Sequence, residues 1–498
     1  MRHARAATAA LLALPVLLLA AAGGDDKAAP PVELVRPRPA PDTSGEFWHV
    51  VFDVAAGDLD GNGKPDLAVS SPDTGKVLLF AGPIPRSSGS PPLAPAVVVT
   101  TERGAGMSGN NGALLVADLD PSGGRDELVV GNSETREALV FRDPLSKGKP
   151  ALGREDAAAR LFSAAFGAGS ALAASRGGRE TELAVAGATR ETSRVFFASG
   201  AALEKSLDLD ARASRVLSQL GARALCENVG WDVEYADFDG DEVPEFVASS
   251  PRAAGASGEP SAGRIDVWRR ADPRAALEPR ATLFGKEPRS RFGRAFALLD
   301  FDRDGRLDVA TCSSHARRRL PGADGTLAAR EARNVGEVYL VPNRLLRDGS
   351  KTTAADPAIK VLHGSEHDER FGWTILAGDF DGDRSDDLLV SGKFAAAPGG
   401  GESARGRLYF VSNALLRDPR PWEAARRDAA IVLAPEGVRH FGMCGAVADF
   451  DGDGYDDAAV GGMSEDGSGV PVGRLVIVHG APGICAAGGS PPRVTVLR

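Results

Sequence analysis

The stretch Asp449–Asp457, DFDGDGYDD, decides how the rest of this chain is read. Carboxylates stand at its first, third, fifth and ninth positions, and side chains at alternate positions of a tight loop converge on one point. Near-copies begin at Asp58 (DLDGNGKPD), Asp300 (DFDRDGRLD) and Asp379 (DFDGDRSDD), with weaker ones at Asp118 (DLDPSGGRD) and Asp237 (DFDGDEVPE). Counting a seventh unit between Asp118 and Asp237 that keeps only the flanks, successive repeats lie roughly 55 to 80 residues apart, which marks a repeat architecture.

Hard divalent cations take six to eight oxygens at about 2.3 to 2.6 Å, so the donor set predicts Ca2+. The last copy offers Asp449, Asp451, Asp453 and Asp457, with the backbone carbonyl of Tyr455. By the same count the first offers Asp58, Asp60, Asn62, Lys64 and Asp66, and the fifth repeat Asp300, Asp302, Asp304, Arg306 and Asp308. The sixth offers Asp379, Asp381, Asp383, Ser385 and Asp387, the second Asp118, Asp120, Ser122 and Asp126, and the fourth Asp237, Asp239, Asp241 and Glu245. Gly63, Gly305 and Gly454 hold position six, where the turn calls for positive φ. No Cys or His stands at a ligand position, which argues against zinc or copper.

An EF-hand starts similarly but needs a Glu at position twelve and flanking helices. Position twelve here is Val69, Thr311, Val390 or Val460, and the flanks are short apolar runs bounded by Gly, such as TILAGDF and DLLVSG. Such runs read as strands, so the loop joins two strands. The sixth repeat then continues as GRLYFVSN and AAIVLAP, giving four strands, and the fifth and seventh repeats follow suit. Four short strands per repeat predict an all-β, seven-bladed β-propeller of four-stranded antiparallel blades.

These units resemble FG-GAP repeats, the building block of the integrin α-subunit amino-terminal propeller. Phe292-Gly293, Phe371-Gly372 and Phe441-Gly442 carry the FG element, and the third blade keeps Phe166-Gly167. The first, second and fourth blades depart from it with FWHVVFDVAAGD, NNGALLVADL and VGWDVEYADF. The third blade has Ala174, Arg176 and Gly178 where ligands belong and is read as metal-free. The resemblance implies structural calcium and a ligand-binding face.

The chain has 498 residues, of which a propeller at 46–498 accounts for all but the amino-terminal segment. Sixty Gly and 33 Pro suit many turns, and the net charge of −10 is smaller than the number of carboxylates in the acidic loops, so it says little about nucleic acid or membrane partners. Residues 1–22 read as a cleaved signal peptide, with Arg2 and Arg5, an apolar run and small residues near Ala20. Residues 23–45 read as a Pro-rich linker. A secreted, periplasmic or cell-surface location follows. Of the cysteines, Cys226, Cys312, Cys444 and Cys485, the pair Cys444 with Cys485 is the expected bridge, with free buried thiols the alternative.

Residues for hydrolytic chemistry are scarce: seven His, no G-x-S-x-G and no H-E-x-x-H. His363 and His367 sit four apart in HGSEHDERFG but in an ordinary inter-blade turn, and Asp386-Asp387 and Asp456-Asp457 belong to metal loops. Arg317, Arg318 and Arg319 read as a solvated loop. In a four-stranded meander the acidic loops share one face, while the long connections of strands two and three (Pro251 to Gly263, Ser313 to Gly336, Lys393 to Gly406, Met463 to Gly473) share the other. Resemblance makes that second face the ligand-binding one, although its insertions lack an aromatic cluster as an anchor. The expected function is a calcium-stabilised binding or adhesion scaffold for an extracellular protein or glycan; the alternative is a secreted carbohydrate- or ester-cleaving enzyme built on a propeller face.

Overall fold

The computed structural model describes residues 53–71, 74–86, 94–101, 114–120, 123–146, 148–175, 181–188, 193–199, 203, 206–213, 215–218, 230–270, 275–320, 330–396, 405–465, 471–486 and 493–497. The signal peptide, the linker, Ser122, Arg176, Gly178 and Cys226 lie outside them. The chain forms seven blades, each an antiparallel meander whose strands follow chain order from the inner edge outward. The sixth blade shows the pattern: Phe371–Gly378, Asp387–Gly392, Arg407–Val411 and Ala430–Leu433. The fifth blade is Phe292–Leu299, Asp308–Ser313, Glu337–Val341 and Lys360–His363. Inner strands of neighbouring blades pack together around the axis, including Val54–Gly57 of blade 1 against Gly445–Ala448 of blade 7.

Second strands such as DLAVSS, DVATCS and DLLVSG are buried along their whole length. A blade is covered on both faces by its neighbours, so its middle strands read as continuous apolar runs and not as alternating ones. The core is accordingly divided into seven apolar clusters, each between two adjacent blades. Cys444 lies in the cluster between blades 7 and 1, and Cys485 in the one between blades 6 and 7. Cys312, Cys444 and Cys485 are therefore free and buried, and the expected Cys444–Cys485 bridge does not form, because the two side chains leave blade 7 by opposite sides.

The FG element gains a physical meaning from the blade boundary. Gly336 opens the third strand of blade 5 at φ +85°, and Gly406 does the same for blade 6 at +82°. A Cβ on either would land on the backbone of the next blade's FG phenylalanine, Phe371 or Phe441. That close approach is held by Phe371 N donating to Val335 O at 2.9 Å and Phe441 N donating to Arg405 O at 3.1 Å.

The connections from third to fourth strand depart from a plain meander. Ala151–Leu152, Leu207–Asp208 and Ser350–Thr353 each leave their own blade and add a short parallel strand to the outer edge of the preceding one. In blade 6 the same connection forms two short helices, Asn413–Leu416 and Trp422–Ala425. Trp422 Nε1 donates to His363 O at 2.8 Å, and Lys360 Nζ donates to the carbonyl of Leu416 at 2.8 Å, which ties those helices to blade 5. Edges are thus covered by the following blade. Two expected loops carry strand: Arg318–Leu320 pairs with Arg330–Ala332, and Asp457–Glu465 pairs with Pro471–Val478 as one long hairpin through Met463 and Gly473.

Replacing Gly336 by Ala should cost about 2 kcal/mol or more, from the left-handed backbone and the collision with Phe371. Urea denaturation checks it, and a loss within about 0.5 kcal/mol would show that the boundary can yield.

Candidate metal centres

Each acidic loop is first a backbone device. The carboxylate at position one accepts from the amides at positions four to six: Asp58 from Gly61 and Gly63, both at 2.7 Å, and Asp449 from Gly452 and Gly454 at 2.7 and 2.9 Å. Asp237, Asp300 and Asp379 repeat the pattern through Gly240, Gly305 and Gly382. Position six is left-handed as expected, at φ +77°, +84° and +90° for Gly63, Gly305 and Gly454. Position four is left-handed too, in Gly61, Gly382 and Gly452 at +79° and even in Arg303 at +63°, which the motif count overlooked.

The ninth-position acid begins strand two and is buried. Asp66 accepts from Leu59 N at 2.8 Å and from Gly82 N at 2.7 Å. Asp308 accepts from Phe301 N at 3.2 Å and Asn343 N at 2.7 Å; Asp457 accepts from Phe450 N at 3.1 Å and Gly480 N at 2.8 Å. In these three blades the second donor opens the connection from strand three, so the carboxylate pins that connection and the acidic loop to one face.

The loops bring their acids together. One oxygen from each of Asp58, Asp60 and Asp66 lies within 4.8 Å of the others, and the same holds for Asp300, Asp302 and Asp304 and for Asp237, Asp239 and Asp241. In the first and fifth blades the donor set is oxygen only, which fits a hard divalent ion. Burial, and then Asp304, raise the Asp302 carboxylate. Asn343 Nδ2 and the Arg344 guanidinium approach Asp304 and Asp302 at 3.0 and 3.2 Å.

The other blades differ in ways that motif spacing did not reveal. In blade 2 the loop is one residue longer, and Glu127 takes the place expected for Asp126, accepting from Leu119 N at 2.7 Å. Asp126 instead reaches back to blade 1 and accepts from Asp58 N at 2.8 Å. Asp456 and Asp386 do likewise for Asp379 N at 2.9 Å and Asp300 N at 3.4 Å. The paired carboxylates thus divide their work: the second of each pair faces its own loop, and the first clamps the loop of the preceding blade.

Protein cations enter several loops. In blade 4 the buried Arg280 donates to Glu245 at 2.6 Å and to Asp239, bridging positions nine and three. Blade 3 lacks the loop, yet Glu182 still begins its second strand and is paired at 2.8 Å with the buried Arg270. In blade 2, Arg142 stands 3.8 Å from Asp120. In blade 7, His479 Nδ1 lies 3.0 Å from Asp451 and 3.3 Å from Asp457, and Arg86 from blade 1 pairs with Asp451 and Asp453. In blade 6, the Cys485 thiol donates to Asp387 at 3.2 Å and is pushed far up by burial and by that carboxylate. No His or Cys stands at a loop position, as expected, but His479 and Cys485, both from the third-to-fourth connection, lie beside the acids of blades 7 and 6.

Burial dominates the proton affinity of Asp66, Glu245, Asp308 and Asp387. It pushes Asp66 up to about 6 from 3.8, and Asp308 and Asp387 up to about 7 from the same value. Glu245 rises to about 7 from 4.5 despite Arg280. His363 and His367 do not form a site: His363 is buried with Nδ1 at 2.8 Å from Gly364 O, while the exposed His367 pairs with Asp368 at 2.9 Å.

Residues 51–80 match the FG-GAP repeat family. The chain is 30% identical over 187 residues to phosphatidylinositol-glycan-specific phospholipase D of Bos taurus, covering 35% of this chain and 19% of that protein. It is 30% identical over 239 residues to integrin alpha-IIb of Mus musculus, covering 47% of this chain and 20% of the integrin. The chain thus spans about a fifth of the length of these curated relatives. Among solved structures it aligns with the Dos1 propeller over 86% of this chain and 93% of that one, at 12% identity and a TM-score of 0.40. Seven antiparallel blades with acidic hairpin loops define a β-propeller of repeated units. With residues 51–80 matching an FG-GAP repeat and 47% of the chain similar to integrin alpha-IIb, the fold is an integrin α-like β-propeller.

Two outcomes follow from the buried acids. Their native proton affinities exceed the unfolded ones, so their contribution is complete below about pH 4 and is lost as pH rises through 6 to 7. In chelator, the melting temperature should therefore fall between about pH 5 and pH 8, and a flat profile would contradict the assignment. Arg280→Met leaves Glu245 and Asp239 without their cation and should cost about 3–5 kcal/mol in denaturant unfolding.

Proposed function

We propose that this chain is an exported, calcium-stabilised propeller that serves as a binding or adhesion scaffold for an extracellular protein or glycan. The observation that carries the metal is the oxygen-only convergence at Asp58, Asp60 and Asp66 and at Asp300, Asp302 and Asp304, with no protein cation among the described residues on the buried Asp66 or Asp308. There Asn62 with the Lys64 carbonyl, and the Arg306 carbonyl, complete the ligand sets, and calcium supplies the charge that lets the buried acids ionise. Asp379, Asp381, Asp383, Asp387 and the Ser385 carbonyl in blade 6, and Asp449, Asp451, Asp453, Asp457 and the Tyr455 carbonyl in blade 7, form further sites. In the latter a bound cation would take the place of the Arg86 guanidinium on Asp451 and Asp453, and in the former it would sit beside the Cys485 thiol that donates to Asp387. Blades 3 and 4 do without metal, since Arg270 and Arg280 supply the positive charge.

Export rests on residues 1–22, and among the described residues no helix is long and apolar enough to cross a membrane. The scaffold role rests on the fold and on the likeness to integrin alpha-IIb. Likeness to a phospholipase D over 19% of that protein keeps an enzymatic reading as the rival, which a screen on esters and glycans tests.

Binding to the native state alone stabilises by RT ln(1 + [L]/Kd), about 2.7 kcal/mol per site at a hundredfold excess over Kd. EDTA should lower the melting temperature by several degrees and millimolar calcium restore it. Asp58→Asn and Asp300→Asn should each remove one ion from the calcium stoichiometry measured by calorimetry. An unchanged melting temperature in EDTA would sink the proposal.

A further inference from the structure

The face opposite the acidic loops carries an aromatic and cationic cluster at the rim of the axis. Arg294 and Trp373 each follow an FG pair at the start of an inner strand, and Lys393 and Phe394 follow the second strand of blade 6. Three cations crowd the Trp373 ring: the Arg294 guanidinium at 3.4 Å from its centroid, Lys393 Nζ at 4.1 Å and the Arg370 guanidinium at 5.5 Å. Arg370 and Lys393 also lie over Phe394, at 4.5 and 5.1 Å. Trp231 Nε1 donates to Arg294 O at 3.0 Å and Arg294 Nη1 to Trp373 O at 3.3 Å, so blades 4, 5 and 6 hold the group rigidly.

Among the described residues none of Arg291, Arg294, Arg370 and Lys393 forms an ion pair, and the buried Nε of Arg370 has no hydrogen-bond partner. The carboxylates nearby are engaged elsewhere. Asp368 bonds His367 and Asn334, and the buried Asp232 accepts from Phe296 N at 3.4 Å, its carboxylate pushed well above the usual range by burial. Burial and the neighbouring cations pull Lys393 down to about 7 and Arg294 to about 9, and His315, beside Arg291, Arg370 and Arg294, to about 3. Lys393 and Arg294 are buried and crowded by like charge, an arrangement that an arriving anion relieves.

We propose that this cluster is a binding site for an acidic polysaccharide, with Arg294, Arg370 and Lys393 taking uronate carboxylates and the half-buried Trp231 and Phe394 taking sugar C–H faces. The positive charge spreads over two adjacent blades, which suits a chain bearing one carboxylate per ring better than a single acidic group. The anchor missing from the insertions is thus supplied by the strand ends beneath them. This assignment deepens the scaffold reading and depends on it, naming the ligand class of that face.

Titration of the calcium-loaded protein with a uronate hexasaccharide, followed by tryptophan fluorescence and calorimetry, tests it. Binding is expected at low salt, weakening as salt rises, with Lys393→Gln and Arg370→Gln each reducing affinity about tenfold. Arg420→Gln removes an exposed cation paired with Asp418 and Asp428 and leaves affinity unchanged. Melting curves in calcium and in EDTA, run on each variant, separate loss of this site from failure of the metal-stabilised scaffold. If a variant does not fold, the wild-type tryptophan fluorescence response and its salt dependence still decide the matter. No response to the hexasaccharide, an equal response to a neutral hexasaccharide, or tighter binding of hexaglutamate would overturn the proposal, the last making the occupant an acidic peptide.

Discussion

A carboxylate buried where the second strand of a blade begins is the constraint around which this molecule is arranged. Asp66, Glu127, Glu182, Glu245, Asp308, Asp387 and Asp457 hold that place in the seven blades, and all are buried. An ion withdrawn from water costs several kcal/mol even after relaxation, so each acid must be neutralised or surrounded by donors. The blades solve this differently. Arg270 and Arg280 answer Glu182 and Glu245, His479 and Cys485 approach Asp457 and Asp387, and in blades 1 and 5 backbone amides are joined by a tight ring of further acids. A cation is therefore built into some blades and called for by others. The variation occurs at one structurally constant point, which is why the loops diverge in sequence while the blades keep their shape.

Much of this was legible in the sequence because it is local. The acidic loop closes on itself through Asp-to-amide bonds spanning three to five residues, as in Asp58 to Gly61 and Gly63, so spacing alone reveals it. Strand two announces itself because both its faces are covered. What stayed hidden depends on partners far apart in the chain. Nothing near Asp126 shows that it clamps Asp58, 68 residues away, or that Glu127 takes its place, because a one-residue insertion looks the same whichever acid turns inward. Arg280, His479 and Cys485 come from strand four or from the connection before it, and the Trp373 cluster from three blades. No period in the sequence marks such convergence.

The same geometry separates two chemistries. Strands of each blade run between the faces, so every first-to-second loop falls on one face and every FG pair on the other. Acids collect on the first because the loop motif puts them there, and Arg294, Trp373 and Lys393 collect on the second because the residues after the FG pair and after strand two point to the rim. A rigid ring of interlocked glycines and phenylalanines keeps the two apart, so that cation binding on one face can stiffen the platform without occupying the other.

Closure of the ring exposes how far these interactions depend on one another. Blade 1 takes its described strands from Val54 to Thr100 and blade 7 from Gly445 to Leu497, so among the described residues no strand is exchanged to lock the seam. Instead Val54, Leu67, Val69 and Phe80 pack on Met443, Phe450 and Ile477, and Ile84 N donates to Phe450 O at 2.6 Å. Arg86 then crosses the seam to the acids of the blade 7 loop. The other boundaries gain a parallel strand, a clamp such as Asp126 or Asp456, or a buried ion pair. At the seam the residue matching those clamps is Pro65, which offers no carboxylate to the Asp449 amide. With apolar packing and an arginine on a charged loop as its ties, this boundary is the one whose strength follows most directly from how the Asp449–Asp457 loop is neutralised.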